Sequence, residues 1–183
     1  MLQEKELIEK AIKLKQEGKF EDALDILKPL YKKNSLSQEV KIALIDVIFN
    51  YGLHLNDEWV SDYEKAIDCF KNVIELAPDN YRAWYNLGIA YFNQNNIEDA
   101  LNAYERAIQI KSDYFYSYYN IGLIYEFHKE DLVKALEYYE RALSYNQEFV
   151  YAIQASNAIQ KKIENLKLKR IIREQEKQKK ERN

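Results

Sequence analysis

The chain has 183 residues, and its four glycines and two prolines favour helices joined by short turns over sheets and long loops. Its apolar share of 47% is sufficient for a hydrophobic core, while no stretch is long and uncharged enough to cross a bilayer. The single cysteine, Cys69, excludes a disulfide framework and a cysteine-based metal site within the chain. We therefore expect a helical protein of a reducing, cytoplasmic compartment.

The first two predicted helices are amphipathic. Apolar residues recur every three or four positions on each side of Gly18, which marks a turn between the helices. The first stripe is Leu7, Ile8, Ala11, Ile12 and Leu14, and the second is Phe20, Ala23, Leu24, Leu27 and Leu30. Pro29 lies late in the second helix and is expected to kink or shorten it.

The next pair of helices is less regular. Residues 37–51 are apolar nearly all round, which predicts a helix buried between its neighbours. Its partner helix begins near Asp62 and ends before Pro78. The segment between them, residues 52–61, contains Trp59 and is longer than the other turns. Either this segment is a binding loop, or it extends the first helix with Trp59 folded onto the pair.

Residues 81–113 carry the clearest pattern in the chain. The first half has the spacing W-x2-L-G-x2-Y at Trp84, Leu87, Gly88 and Tyr91, and the second half has Ala100, Tyr104 and Ala107. The pattern recurs with Gly122 placed 34 residues after Gly88. It is similar to the tetratricopeptide repeat, a helix–turn–helix unit of about 34 residues. Both glycines are expected where two helices approach too closely to leave room for a side chain.

The resemblance implies an all-α fold, a right-handed superhelix (solenoid) of helix–turn–helix repeats closed by a C-terminal capping helix. Residues 1–148 would hold about four repeats, the first degenerate and the second with the insertion at 52–61. Residues 149–183 would form the capping helix, and its charged last third is expected to fray. From residue 161 onward there are ten Lys or Arg against four Glu, whereas residues 1–160 carry a net charge of −9.

Nothing in the sequence argues for an enzyme. The two histidines, His54 and His128, fall in predicted turns without other metal ligands at a suitable spacing, and no glycine-rich phosphate loop is present. Cys69 lies beside Phe70 on an amphipathic stripe, which predicts a packed thiol. We therefore expect a non-catalytic protein with no cofactor and no metal.

The resemblance instead implies protein binding, because the first helices of such repeats line a concave groove. The predicted groove residues are Arg82, Tyr85, Asn86, Ile89, Phe92, Tyr116, Tyr119, Asn120, Leu123 and Phe127, joined by Asn93, Glu126 and, from the second repeat, Ile42, Ala43, Asp46, Phe49 and Asn50. Asn86 and Asn120 occupy the same place in successive repeats, and their amides suit the backbone of an extended peptide. The expected function is a scaffold or adaptor that binds a peptide segment of a partner in an aromatic groove.

Three alternatives stay open. The groove aromatics could instead pack against neighbouring repeats or the C-terminal helix. The basic run after residue 161 could bind nucleic acid or an acidic surface, although a solvated helix end explains the same composition. Finally, the chain could be a structural protein that associates with its own copies as a homo-oligomer.

Overall fold

The structure is a computed structural model that describes residues 2–181, with side chains from residue 3 to residue 178. Met1 and residues 182–183, which the sequence analysis assigned to the first repeat and the basic run, lie outside the described residues. The described part contains nine helices and no strand. They are α1 (Leu2–Gln16), α2 (Phe20–Lys33), α3 (Gln38–Leu55), α4 (Tyr63–Leu76), α5 (Tyr81–Asn93), α6 (Ile97–Ile110), α7 (Phe115–Phe127), α8 (Leu132–Tyr145) and α9 (Val150–Glu181).

Polar side chains fix where several helices begin. Ser37, Asp62, Asn80 and Asp131 each precede a helix and accept a hydrogen bond from the backbone N–H three residues later, at 3.0–3.4 Å. Each bond satisfies one of the N–H groups that the first turn leaves without a partner. These caps set the starts of α3, α4, α5 and α8.

The helices pack in consecutive pairs, α1 on α2, α3 on α4, α5 on α6 and α7 on α8. By its contacts the chain divides into two compact units, residues 1–111 and 112–183. In the first unit, a continuous core runs from Ile8 and Ala11 in α1 to Ala103 in α6. In the second unit, Tyr139 of α8 and Ile159 of α9 are fully buried.

Three glycines mark the closest approaches within the pairs. A Cβ atom added to Gly88 would lie 2.6 Å from two ring atoms of Tyr104, and one added to Gly122 would lie 2.5 Å from the Tyr139 ring. The predicted packing role of Gly88 and Gly122 is confirmed. Gly52 has the same role, because a Cβ there would lie 2.9 Å from the Phe70 ring.

The position of Gly52 corrects the interpretation of residues 52–61. Helix α3 continues to Leu55, so the first four of these residues are helical. The other half of that alternative is wrong, since Trp59 is 87% exposed and does not fold onto the pair. Pro29 does not shorten α2, which has 14 residues like α4, α6 and α8. The proline lies on the exposed side of α2.

The last helix covers most of its predicted range of residues 149–183. Its charged last third, which was expected to fray, is helical through Glu181. No helix in the part of the chain with a described structure has an apolar run long enough to span a membrane.

Candidate functional site

Two clefts open on the first helices of the pairs in the first unit. The α1/α3 cleft has a volume of about 410 Å³ and is lined by Lys5, Ile8, Glu9, Ile12, Glu39, Ile42, Ala43 and Asp46. The α3/α5 cleft has a volume of about 270 Å³ and is lined by Ile42, Ile45, Asp46, Phe49, Asn80 and Arg82. Ile42 and Asp46 line both clefts, and Ile42 is 65% exposed. We call the surface that carries the two clefts the α1–α3–α5 face.

Two charged side chains of this face, Asp46 and Arg82, are held by neighbours. Lys15 Nζ lies 2.6 Å from Asp46 Oδ2, which ties α1 to α3. The guanidinium carbon of Arg82 lies 5.5 Å from the centroid of the Phe49 ring, within cation–π range. The α3/α5 cleft therefore combines an apolar wall with one acidic and one basic side chain.

Two asparagines lie next to the α3/α5 cleft in equivalent positions. Asn86 Nδ2 donates to the carbonyl oxygen of Arg82 at 2.7 Å, and Asn50 Nδ2 donates to that of Asp46 at the same distance. The bond to the preceding turn fixes one end of each amide. The Oδ1 atom of Asn86 thereby becomes an oriented acceptor for a bound backbone N–H.

The shared position of these asparagines was visible in the sequence. Each stands two residues before a packing glycine, as Asn50–Gly52 and Asn86–Gly88, and Asn120–Gly122 follows the same rule in the second unit. Asn50 was predicted to lie in the groove without this register, because Gly52 was assigned to an inserted segment. The α1 residues of the α1/α3 cleft were not anticipated at all.

The other predicted groove residues of α5 lie outside the linings of the two clefts. Tyr85 is half-buried, and its ring centroid is 5.8 Å from that of Tyr104. Ile89 and Phe92 are half-buried as well. Among the α5 residues predicted from sequence, Arg82 lines the α3/α5 cleft directly and Asn86 adjoins it through their hydrogen bond.

The predicted residues of α7 belong to the second unit, where the aromatic ones form a cluster with the segment that leads into α9. The Tyr119 ring lies 5.1 Å from the Phe149 ring and 5.6 Å from the Tyr139 ring, and Tyr116 lies 5.5 Å from Phe149. Leu123 packs against the core of this unit, and Phe127 is 67% exposed. Tyr119 thus helps to hold α9, as the packing alternative expected.

Glu126 also has a structural partner in the second unit. The Tyr139 hydroxyl donates to Glu126 Oε2 at 2.8 Å. Burial, followed by this hydrogen bond, raises the pKa of Tyr139 well above its ordinary value. The tyrosine is therefore protonated at all physiological pH values and remains a donor.

The groups with catalytic potential are placed for packing. Burial raises the pKa of the Cys69 thiol to about 11, so the thiol is protonated at neutral pH and is a poor nucleophile. The His54 ring stacks on Phe20 with centroids 5.3 Å apart. Within the described residues, no group of three or more His, Cys, Asp or Glu side chains could hold a metal ion.

Comparison with known proteins agrees with this architecture. One curated relative, the rhomboid protease GluP of Bacillus subtilis (strain 168), is 27% identical over 94 residues, which is 51% of this chain. The matched region is only 17% of GluP, so the chain spans a small part of that relative's length.

Solved structures match over most of the chain. The crystal structure of MamA is 26% identical, covers 81% of each chain and has a TM-score of 0.64. YrrB, described as a TPR protein with an unusual peptide-binding site, is 17% identical over 82% of this chain and 90% of its own, with a TM-score of 0.58. These likenesses, together with the helical pairs, confirm the all-α tetratricopeptide solenoid fold. The tetratricopeptide repeat family matches residues 60–115 and 92–149, and the chain belongs to this family.

Proposed function

We propose that the chain is a non-catalytic protein–protein interaction scaffold that binds an extended segment of a partner on its α1–α3–α5 face. The observation that carries the proposal is the α3/α5 cleft, which is lined by the exposed Ile42, by Phe49 and by Arg82, the residue whose carbonyl oxygen holds the amide of Asn86. Apolar side chains supply contact area, while a fixed amide recognises a backbone that any peptide has. The peptide-binding site of YrrB, a protein of the same fold, supports this role.

The chemistry of the cleft defines the segment that it would accept. An apolar or aromatic side chain would enter between Ile42 and Phe49. The neighbouring backbone N–H would donate to the amide oxygen of Asn86. Arg82 would attract a carboxylate in the same segment, because its guanidinium lies over Phe49 at the edge of the cleft. In the second unit, Asn120 and the exposed Phe127 would offer the same kinds of group.

The repeat organisation predicted from sequence is part of the proposal. We infer four repeats formed by α1/α2, α3/α4, α5/α6 and α7/α8, with α9 as the cap that covers the last pair. The predicted groove residues of α5 and α7 then mark the first helices of the third and fourth repeats.

The test uses peptides selected from a random library displayed on phage against the full chain. A selected peptide is titrated by calorimetry into the wild type, Asn86→Ala, Ile42→Asp and the control Asn102→Ala. Asn102 is an exposed asparagine of α6, a second helix of its pair. We expect Asn86→Ala to cost about 1–3 kcal/mol because a backbone N–H of the peptide loses its acceptor. Ile42→Asp should remove measurable binding, and Asn102→Ala should not change it.

The affinity of the selected peptide should also depend little on salt, since the proposed contacts are mainly apolar and hydrogen-bonded. Selected peptides that bind all three variants equally well would place the binding site elsewhere. Loss of binding in high salt, or after removal of residues 165–183, would instead favour the basic part of α9 as the binding element.

A further inference from the structure

The distal half of α9 projects beyond the part of the helix that packs on the protein. Ile159 is buried and Ile163 packs against the core of the second unit, but every described side chain from residue 164 to residue 178 is exposed. Residues 164–181 span about 27 Å at 1.5 Å per residue. An isolated helix of this length is only marginally stable in water. The ion pair Arg170–Glu174 at 2.9 Å adds only a small stabilisation to this segment.

This distal half carries an exposed apolar patch inside a basic surface. Leu168, Ile171 and Ile172 are 44–56% exposed and follow the spacing of one helix face. Lys167, Lys169 and Arg173 lie on the flanks of this face. A helix that only needed to stay solvated would not place large aliphatic side chains together on one side.

The α1/α3 cleft has the complementary properties. Its floor is formed by Ile8, Ile12 and Ala43, with the exposed Ile42 at the boundary to the next cleft. Its rim carries the carboxylates Glu9, Glu39 and Asp46 against one lysine, Lys5. Asp46 is paired with Lys15, so Glu9 and Glu39 are the carboxylates that can attract an incoming cation.

We propose that the distal half of α9 from one copy docks into the α1/α3 cleft of a second copy. Leu168, Ile171 and Ile172 would cover the apolar floor, as an amphipathic helix does in a groove. Lys169 and Arg173 would lie near Glu9 and Glu39. The inference rests on the proposed binding role of the α1–α3–α5 face and names one occupant for it.

A second copy is favoured over an unrelated partner because both halves of the contact belong to this chain. Residues 1–160 carry −9 and residues 161–183 carry +6, so the docking segment of every copy is attracted to the body of every other. The two surfaces are different, so the contact is heterologous, and a docked pair of copies keeps one unused cleft and one unused α9. Copies of the chain therefore assemble head to tail into rings or open chains.

The experiment uses variants of the whole 183-residue chain. The cleft variant is Glu9→Lys with Glu39→Lys, and the helix variant is Lys169→Glu with Arg173→Glu. A control variant, Glu137→Lys with Glu140→Lys, makes the same charge change on exposed positions of α8 as the cleft variant does in the cleft. All substituted side chains are exposed, and circular dichroism verifies that each variant is folded.

Light scattering coupled to size-exclusion chromatography, at several concentrations and low salt, measures the assembly. We expect the wild type and the control variant to form species that grow with concentration. The cleft variant and the helix variant, each alone, should associate at least about tenfold more weakly. An equimolar mixture of the two should assemble again, because the intact helix face meets the intact cleft and the reversed helix face meets the reversed cleft. A chain that combines both sets of reversed charges should assemble again.

Several outcomes would overturn the inference. They are a wild type that stays monomeric at every concentration, a mixture in which the two variants do not associate, and a control variant that loses assembly as fully as the cleft variant. Binding of a monomeric wild type to vesicles that contain phosphatidylserine, or to RNA, would assign α9 to those ligands instead. If assembly fails but a library-selected peptide still binds in an Asn86-dependent manner, the proposed function stands without this inference.

Discussion

The packing glycines allow a stability prediction that can be worked out from distances. Replacing Gly88 by Ala places a methyl group 2.6 Å from the Tyr104 ring, and Gly122→Ala places one 2.5 Å from the Tyr139 ring. Contacts between carbon atoms are optimal at about 3.5–4.0 Å, so in both variants a ring must move by roughly 1 Å. Both rings are almost fully buried, and Tyr139 is also held by its hydrogen bond to Glu126.

The expected cost follows from two opposing terms. Overpacking of a rigid core site costs about 1–3 kcal/mol. The better helix propensity of Ala offsets up to about 1 kcal/mol of this. We expect Gly88→Ala and Gly122→Ala to lose about 1–2 kcal/mol each. Gly52→Ala should lose less, because its methyl group would lie 2.9 Å from the Phe70 ring.

Thermal unfolding followed by circular dichroism measures these losses, and about 1 kcal/mol lowers the Tm of a chain of this size by about 2–4 °C. The first pair of helices supplies a rescue, because Ala11 and Leu27 occupy the places of Gly88 and Tyr104 and are fully buried. Gly88→Ala with Tyr104→Leu recreates that pair. The double variant should lose less unfolding free energy than the sum of the losses of the two single variants. An unchanged Tm for Gly88→Ala and Gly122→Ala would refute the reasoning.

Three further predictions concern single side chains. Ser117→Ala should raise the free energy of unfolding by about 1 kcal/mol in chemical denaturation, because Ser117 Oγ is buried without a hydrogen-bond partner. Tyr119→Ala should lower the Tm through a loss of about 1–3 kcal/mol of ring packing, whereas Tyr119→Phe should not. The Cys69 thiol should resist a thiol reagent at pH 8 until denaturant is added. Because burial raises its pKa from 9.0 to about 11, its contribution to stability should fall as pH rises through that window, and Cys69→Ala should flatten this part of the stability profile.

The sequence was sufficient for the helices that repeat a complete pattern. The register of α5 on α6 is fixed by Trp84, Gly88 and Tyr104, because each of these residues needs a partner of a particular size on the opposite helix. The register of α7 on α8 is fixed by Tyr118, Gly122 and Tyr139 at the corresponding positions, where a tyrosine stands in place of the tryptophan. The end of helix α3 was left open, because Gly52 was assigned to the inserted segment at residues 52–61. In a helix that is apolar nearly all round, only the contact with Phe70 shows that this glycine is a packing residue.

The candidate site was predicted less completely, for two physical reasons. First, α1 lacks the glycine and the large aromatic residues of the repeat pattern, so nothing in its sequence showed that Ile8 and Ile12 line a cleft. Second, an aromatic residue on a first helix has the same spacing whether it faces a ligand or another ring. Only the position of Phe149 shows that Tyr119 packs inside its own unit.

The asparagine–glycine spacing places the two roles of a first helix, packing on its partner helix and binding of a peptide, on different faces. Residues two apart on a helix point about 200° away from each other, so Gly88 faces the second helix of its pair and Asn86 faces away from it. Packing and recognition can therefore change independently.

This separation leads to a paired prediction. Asn86→Ala should leave the free energy of unfolding within about 0.5 kcal/mol of the wild type while it weakens a library-selected peptide, because it removes only a local bond to Arg82. Gly88→Ala should do the reverse, lowering stability while the peptide affinity of the folded fraction stays the same. Denaturation and calorimetric titration of both variants measure the two quantities side by side. If both variants changed stability and affinity together, the two faces of α5 would not be independent, and Asn86 would have to be reassigned to the core.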